Sequence, residues 1–181
     1  AAFVAGNGTK KPTGFLAGPT PVTTADSGRA FGTLQNVAGG QAAALPTSLD
    51  PLYDMVYGLR ARYRRNARWV GGKLVYAGLR KLKDTTNQYL WAPGLAGAGD
   101  TILGKPVVTD PNVAAVALSA KSLAFGDLSA YHVRLAGGIR FERSDDFAFQ
   151  SDLVTFRCIV RGDGILVDQT GAVKHFIGNA A

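Results

Sequence analysis

Leu49-Asp50-Pro51-Leu52-Tyr53-Asp54-Met55-Val56-Tyr57-Gly58-Leu59-Arg60-Ala61-Arg62-Tyr63, running on to Ala67-Arg68-Trp69-Val70, is the stretch whose periodicity decides how this chain folds. Asp50 is placed to cap a helix, and Pro51 falls where its missing N–H costs nothing. Leu52, Met55, Val56, Leu59 and Tyr63 recur at three- and four-residue steps, the spacing of one buried helical stripe. Arg60, Arg62, Arg64 and Arg65 fall mostly off that stripe. Trp69-Val70 reads as a short buried strand. Leu74, Leu79 and Leu82 predict a second helix ending near Lys83-Asp84, and Tyr89-Leu90-Trp91 a strand after it. The result is a compact α+β unit. Its expected core is Leu52, Val56, Leu59, Trp69, Leu79, Leu82, Leu90 and Trp91.

The 181 residues suit one domain or two closely joined lobes. At 46% hydrophobic and 18% charged, the chain can bury a core and is not a disordered protein. It has no apolar run of the length, about 18 residues, that a spanning helix needs. The opening Ala-Ala-Phe-Val-Ala-Gly lacks the basic and long apolar regions of a signal peptide. It also lacks an initiator Met, which suggests a processed chain or a fragment. Cys158 is the only cysteine, so no intrachain disulfide forms and a cytosolic fold is expected.

A net charge of +7 invites a nucleic-acid reading. Nine of the 20 basic residues lie between Arg60 and Lys83, with no acidic residue among them. The simpler reading is a solvated or subunit-facing helix surface. A basic nucleic-acid-binding module is the alternative, although no base-reading spacing is present.

Outward from the central unit the signals weaken. Gly6–Gly14 is a turn cluster, and it lacks the Gly-Lys-Ser/Thr of a phosphate-binding loop. Gly18–Thr47 reads as a long surface excursion with one short strand hinted at Ala30–Leu34, and Pro93–Asp100 as a glycine-rich loop. Ile102–Val108 reads as a strand pair broken at Gly104-Lys105, Asp110–Ala120 as a loop, and Leu123–Asp127 as a strand closed by a turn. Period-two alternation then takes over at Tyr131, Val133, Leu135 and at Ile139, Phe141. Leu153–Val160, Ile165–Val167 and Val173–Ile177 complete a β-rich C-terminal third.

No constellation of reactive side chains is legible. His132 and His175 lack metal-ligand spacing and read as surface or packing residues. Cys158, mid-strand, reads as a small buried hydrophobe. Asp145-Asp146 has the composition of a carboxylate pair but no third ligand, and Gly162-Asp163-Gly164 reads as a hairpin turn. An enzyme built on Asp145, Asp146 or His132 would need these side chains to converge.

Ala2-Phe3-Val4-Ala5-Gly6-Asn7-Gly8-Thr9 with Pro12 and Gly14-Phe15-Leu16 resembles a segment of the major capsid proteins of tailed double-stranded DNA phages, the Hong Kong 97-type capsid family. The resemblance continues, in order, through Ala67–Val70, Leu79–Asp84, Tyr89–Pro93, Leu103–Val108 and Ala124–Asp127. It implies an α+β capsid fold with an axial lobe, a mixed sheet with flanking helices, and part of a peripheral lobe of long strands. Residues 1–19 would be a peripheral segment and turn, 20–130 the axial lobe, 131–160 peripheral strands, and 161–181 a return to the axial sheet. The family's N-terminal arm, extended loop and spine helix have no counterpart here. Gly71-Gly72 stands where relatives start a helix with a polar pair, and Ile159-Val160 where cross-linking members carry acidic residues.

The implied protein is a virion subunit, assembled in the bacterial host cytoplasm into pentamers and hexamers of an icosahedral shell around double-stranded DNA. Its implied partners are copies of itself, packaged DNA bound without sequence specificity, and scaffolding or portal proteins, with no membrane. It needs no catalytic residue, cofactor or metal. The expected interface residues are Arg60, Arg64, Arg65 and Arg68 on the basic surface, with Gly94, Gly97, Gly99 and Asp100 near the capsomer axis.

Overall fold

A computed structural model describes residues 2–16, 28, 35–42, 46, 48–91, 100–117, 120–167 and 171–179. Among these, helix α1 (Ala2–Ala5) and strand β1 (Gln35–Ala42) precede α2 (Asp50–Gly58), α3 (Ala61–Arg64), β2 (Arg68–Gly71) and α4 (Lys73–Leu79). Strands β3 (Thr101–Ile102), β4 (Lys105–Thr109) and β5 (Lys121–Gly126) follow. Then come the long strands β6 (Tyr131–Ala148) and β7 (Leu153–Leu166), and finally β8 (Val173–Asn179). Among the described residues, six strands form one mixed sheet in the order β1-β8-β5-β2-β4-β3, while β6 and β7 pair only with each other.

The sheet is built around strands buried on both faces, which is why β2 and β5 carry apolar runs (Trp69-Val70 and Leu123-Ala124-Phe125) rather than alternation; β8 is buried as deeply. Trp69 on β2 lies opposite Phe125 on antiparallel β5, with ring centroids 4.3 Å apart. Its indole N–H donates to the Ile102 carbonyl at 3.0 Å, so this large ring is buried without an orphaned donor. On the other side β2 runs parallel to β4, with Trp69 beside Val107.

Two basic side chains are also buried. Lys174 donates to the Gln35 side chain. His175 is fully buried, and neither ring nitrogen finds a partner among the described residues. Burial, aided by the Lys121 charge, pushes the His175 pKa down to about 3.

The long helix expected from residue 50 is broken. Leu49, not Asp50, occupies the N-cap position of α2, and no side chain caps the helix there. Asp50 is its first residue and accepts from the Ser48 hydroxyl at 3.0 Å. Leu59 and Arg60 are extended before α3 begins. Gly58 weakens the helix there, and the Arg64 guanidinium satisfies freed carbonyls, donating to Tyr57 O at 3.3 Å and Leu59 O at 3.0 Å. The buried stripe survives the break at Leu52, Met55, Leu59 and Tyr63, with Val56 half-buried.

Helix α4 starts at Lys73 behind an extended Gly72 and ends at Leu79, short of the expected Lys83-Asp84. That start rotates Leu74 into solvent and buries Val75, Tyr76 and Leu79, and the Tyr76 hydroxyl donates to Val108 O at 3.0 Å. Beyond it, the Asp84 carboxylate accepts from the Thr86 hydroxyl and from the Gln88 and Thr86 amides, forming a turn rather than more helix. Those hydrogen bonds hold its carboxyl below the usual range, the Thr86 hydroxyl foremost. Tyr89-Leu90-Trp91 is consequently not a strand. Leu82 is half-buried and Leu90 exposed, while Trp91 packs half-buried with its ring edge-on to Tyr76 and the Arg80 guanidinium 4.7 Å from its centroid.

Strand β1 lies inside the stretch expected to be an excursion. Its Gln-Asn-Val-Ala-Gly-Gly-Gln-Ala sequence has no alternation, and it is a strand because it pairs in parallel with β8. The strand hinted at Ala30–Leu34 falls outside the described residues.

The N-terminal turn cluster folds back on α1, with Phe15 and Leu16 amides bonding to the carbonyls of Phe3 and Val4. A Cβ on Gly14 would come within 2.4 Å of the Val4 carbonyl, so this return needs glycine. Phe3 and Phe15 both set their rings edge-on to Tyr131, whose hydroxyl donates to Thr13 O at 2.7 Å. Tyr131 thereby ties the base of the β6–β7 ribbon to the N-terminal segment. Its ring occupies the space where a Gly164 side chain would be. The expected hairpin turn at Gly162-Asp163-Gly164 is therefore ladder, paired with Leu135, Arg134 and Val133. Strand β7 runs unbroken across residues 160 and 161. The ribbon's real turn is at Phe149–Ser151, closed by left-handed Asp152.

Trp69→Ala is expected to cost about 3–5 kcal/mol, and Trp91→Ala markedly less, because only Trp69 leaves a closed cavity. Chemical denaturation of both variants checks this; equal losses would contradict it. Because His175 is neutral when folded and ordinary when unfolded, its contribution is fully present above pH 6.5 and lost as pH falls towards 3. The slope is at most about 1.4 kcal/mol per pH unit. His175→Leu should flatten wild-type melting temperature against pH in that window, and parallel curves would refute it.

Candidate functional site

Two surfaces stand out on this frame. The first is basic. Arg60 lays its side chain over Gly171, and Arg64 is turned inward onto the end of α2, with its guanidinium 5.4 Å from the Tyr57 ring centroid. Arg65 and Arg68 are exposed where α3 hands over to β2. Sequence reasoning grouped these four arginines together. The structure divides them, making Arg64 a helix-end partner while Arg65 and Arg68 flank an open cavity with Lys105. Lys105 comes from a distant turn, and only the β2–β4 pairing reveals its nearness.

Asp100 ion-pairs with Arg80 at 2.5 Å, and its carbonyl accepts from the Val107 amide. Gly94, Gly97 and Gly99 lie outside the described residues.

The second surface is the ribbon. Among the described residues, these strands of 18 and 14 residues have only each other as ladder partners. Towards the tip, Phe141 faces Cys158 and Arg143 faces Phe156 on one side, while Glu142 opposite Arg157 falls on the other. Glu142 ion-pairs with both Arg140 and Arg157, forming a charged face. Phe141 is 75% exposed, Phe156 73% and Phe147 82%, values far from those of a finished core. Cys158, expected to be buried, is exposed because, among the described residues, nothing packs on that face of the two-stranded ribbon. Phe147, Phe156 and Cys158 line an open groove of about 790 Å³.

The residues weighed for catalysis are not brought together. His132 lies near the start of β6 and Asp145-Asp146 near its end, roughly 40 Å along an extended strand. Asp145 is paired with Arg143 at 2.8 Å. Among the described residues no group of three or more His, Cys, Asp or Glu is placed to hold a metal.

Comparison with known proteins gives the class. The model of the phage capsid family matches residues 1–175, and the chain belongs to that family. Its fold is capsid-like, a mixed sheet with few helices, and the family is one of structural proteins. Among solved structures, the capsid of the empty GTA particle, computed with C5 symmetry, is 35% identical with a TM-score of 0.82. The capsid of the native GTA particle, likewise computed with C5 symmetry, is 34% identical with the same TM-score. Each alignment covers 99% of this chain and 60% of the other, so the chain spans about three fifths of those capsid proteins. A chain of Gordonia phage Cozz, 18% identical with a TM-score of 0.56, shares the fold over 100% of this chain and 58% of its own. No curated protein matches.

Proposed function

We propose that this chain is a major capsid subunit, or a large part of one, that self-assembles into the pentamers and hexamers of an icosahedral shell enclosing double-stranded DNA. In this reading the six-stranded unit is the axial lobe and the β6–β7 ribbon belongs to the peripheral lobe, reaching between neighbouring copies. Shell formation would take place in the host cytoplasm, where scaffolding and portal proteins are the further partners. The mechanism is repeated contact between copies without turnover.

The observation that carries this is the ribbon. A lone two-stranded sheet is marginally stable in water, and an exposed apolar face of this kind marks an interaction surface. Phe141, Phe147 and Phe156 are spaced along one such ribbon, and the Arg140–Glu142–Arg157 cluster supplies charge for its rim. Arg60, Arg64, Arg65 and Arg68, with Gly94, Gly97, Gly99 and Asp100, are proposed as a second contact region near the capsomer axis. The 35% identity to a capsid solved with C5 symmetry supports symmetric self-association.

Sedimentation velocity with electron microscopy of the purified protein tests the reading. Rings of five or six subunits, or closed shells, are expected. Phe141→Asp with Phe156→Asp should abolish them while leaving the thermal melt of the six-stranded unit unchanged. A monodisperse monomer at high concentration and low salt, or full assembly by the double variant, would contradict it.

A further inference from the structure

The cavity between the α3–β2 junction and the β3–β4 turn has the makings of an anion site. It is open, about 340 Å³ in volume, and bounded by Arg65, Asn66, Arg68, Gly104 and Lys105. Its cations come from two separate elements. Arg68 opens β2, and the parallel pairing of Trp69 with Val107 sets that strand alongside the start of β4, where Lys105 lies. The Lys105 ammonium donates to the Arg65 carbonyl at 3.3 Å, which fixes it over the turn and leaves further N–H groups for a ligand. Gly104, at φ +72°, carries the tight turn, and nothing lies within 4 Å of where its side chain would be, so the mouth stays open.

Four exposed arginines elsewhere find carboxylates on the same chain: Arg80 with Asp100, Arg143 with Asp145, and Arg140 and Arg157 with Glu142. Arg62, Arg134 and Arg161 are exposed without one among the described residues, so what marks this cavity is that three cations line it together. Among the described residues, no carboxylate pairs with Arg65, Arg68 or Lys105. Three like charges around one cavity repel each other, and a bound anion would remove that cost. Two guanidinium forks and an ammonium lining one cavity suit a tetrahedral oxyanion better than a planar, singly charged carboxylate.

We propose that Arg65, Arg68 and Lys105 form a phosphate-binding site, with Asn66 as a neutral donor at its edge. The phosphate comes either from a nucleic-acid backbone or from free inorganic phosphate. The site shares Arg65 and Arg68 with the contact region proposed above, but it needs no second copy to form and is tested on the unassembled chain.

Calorimetric titration of the purified chain with sodium phosphate, against sodium acetate at matched ionic strength, tests it. Phosphate should bind saturably and acetate should not. Arg68→Ala and Lys105→Ala should each weaken phosphate about tenfold, the loss of one charge-assisted hydrogen bond. Lys105→Arg should retain binding, as should Arg62→Ala, which removes equal charge outside the cavity. A short DNA duplex then separates the two sources. If its affinity falls with salt and each variant lowers the salt slope by about one, the backbone is the ligand. If the duplex ignores the variants while phosphate obeys them, the ligand is free phosphate. The proposal is overturned if neither ligand saturates, if acetate binds as well as phosphate, as a carboxylate from a second copy would, or if Arg62→Ala is as damaging as Lys105→Ala.

Discussion

Burial of one indole ring sets the geometry of the larger unit. Trp69 joins the two halves of the sheet, because its strand is antiparallel to β5 on one side and parallel to β4 on the other. The ring packs on Phe125, and its N–H ties the β3 carbonyl of Ile102 to the same point. With that residue fixed, the positions of Arg68 before it and Gly71 after it follow. Gly71 in turn leaves just enough room for Leu123 and the Tyr76 ring, which holds α4 against the sheet. The cationic cavity owes its arrangement to the same strand pairing.

The ribbon obeys the opposite logic. Its base is anchored through Tyr131, which contacts Phe3 and Phe15 and reaches Thr13, and burial together with the nearby Asp163 charge pushes its phenol above the ordinary pKa. Beyond that anchor it extends with apolar side chains uncovered. A monomer would gain nothing from exposing Phe141, Phe147 and Phe156, whereas a protein repeated around symmetry axes can bury them many times over. The described fold thus comprises a sheet with its own core and a ribbon whose apolar side chains are left uncovered.

Much of the first unit was legible in sequence. Leu52, Leu59, Trp69 and Leu79 are buried as their spacing predicts, and the strand break at Gly104-Lys105 falls one residue early, at Leu103-Gly104. Local bonds decided the failures. Arg64 ended α2 early, Asp84 turned the chain before Tyr89-Leu90-Trp91 could form a strand, and β1 is held by pairing alone, without any apolar pattern. Of the three cations around the cavity, the sequence groups Arg65 with Arg68 but not Lys105, since forty residues separate it from Arg65 and nothing local marks it. Cys158 differs from its expected burial for a deeper reason: a mid-strand thiol reads as buried, and among the described residues nothing packs over that face of the ribbon.

The most direct test of that division is amide hydrogen exchange on the protein before and after assembly. Amides along β6 and β7 beyond the Tyr131 anchor should exchange rapidly in the unassembled chain and become strongly protected in the assembled one, while those of β2, β5 and β8 stay protected throughout. Ribbon amides as slow as the central sheet in the unassembled chain, or unchanged by assembly, would contradict the claim that the ribbon is completed by neighbouring copies.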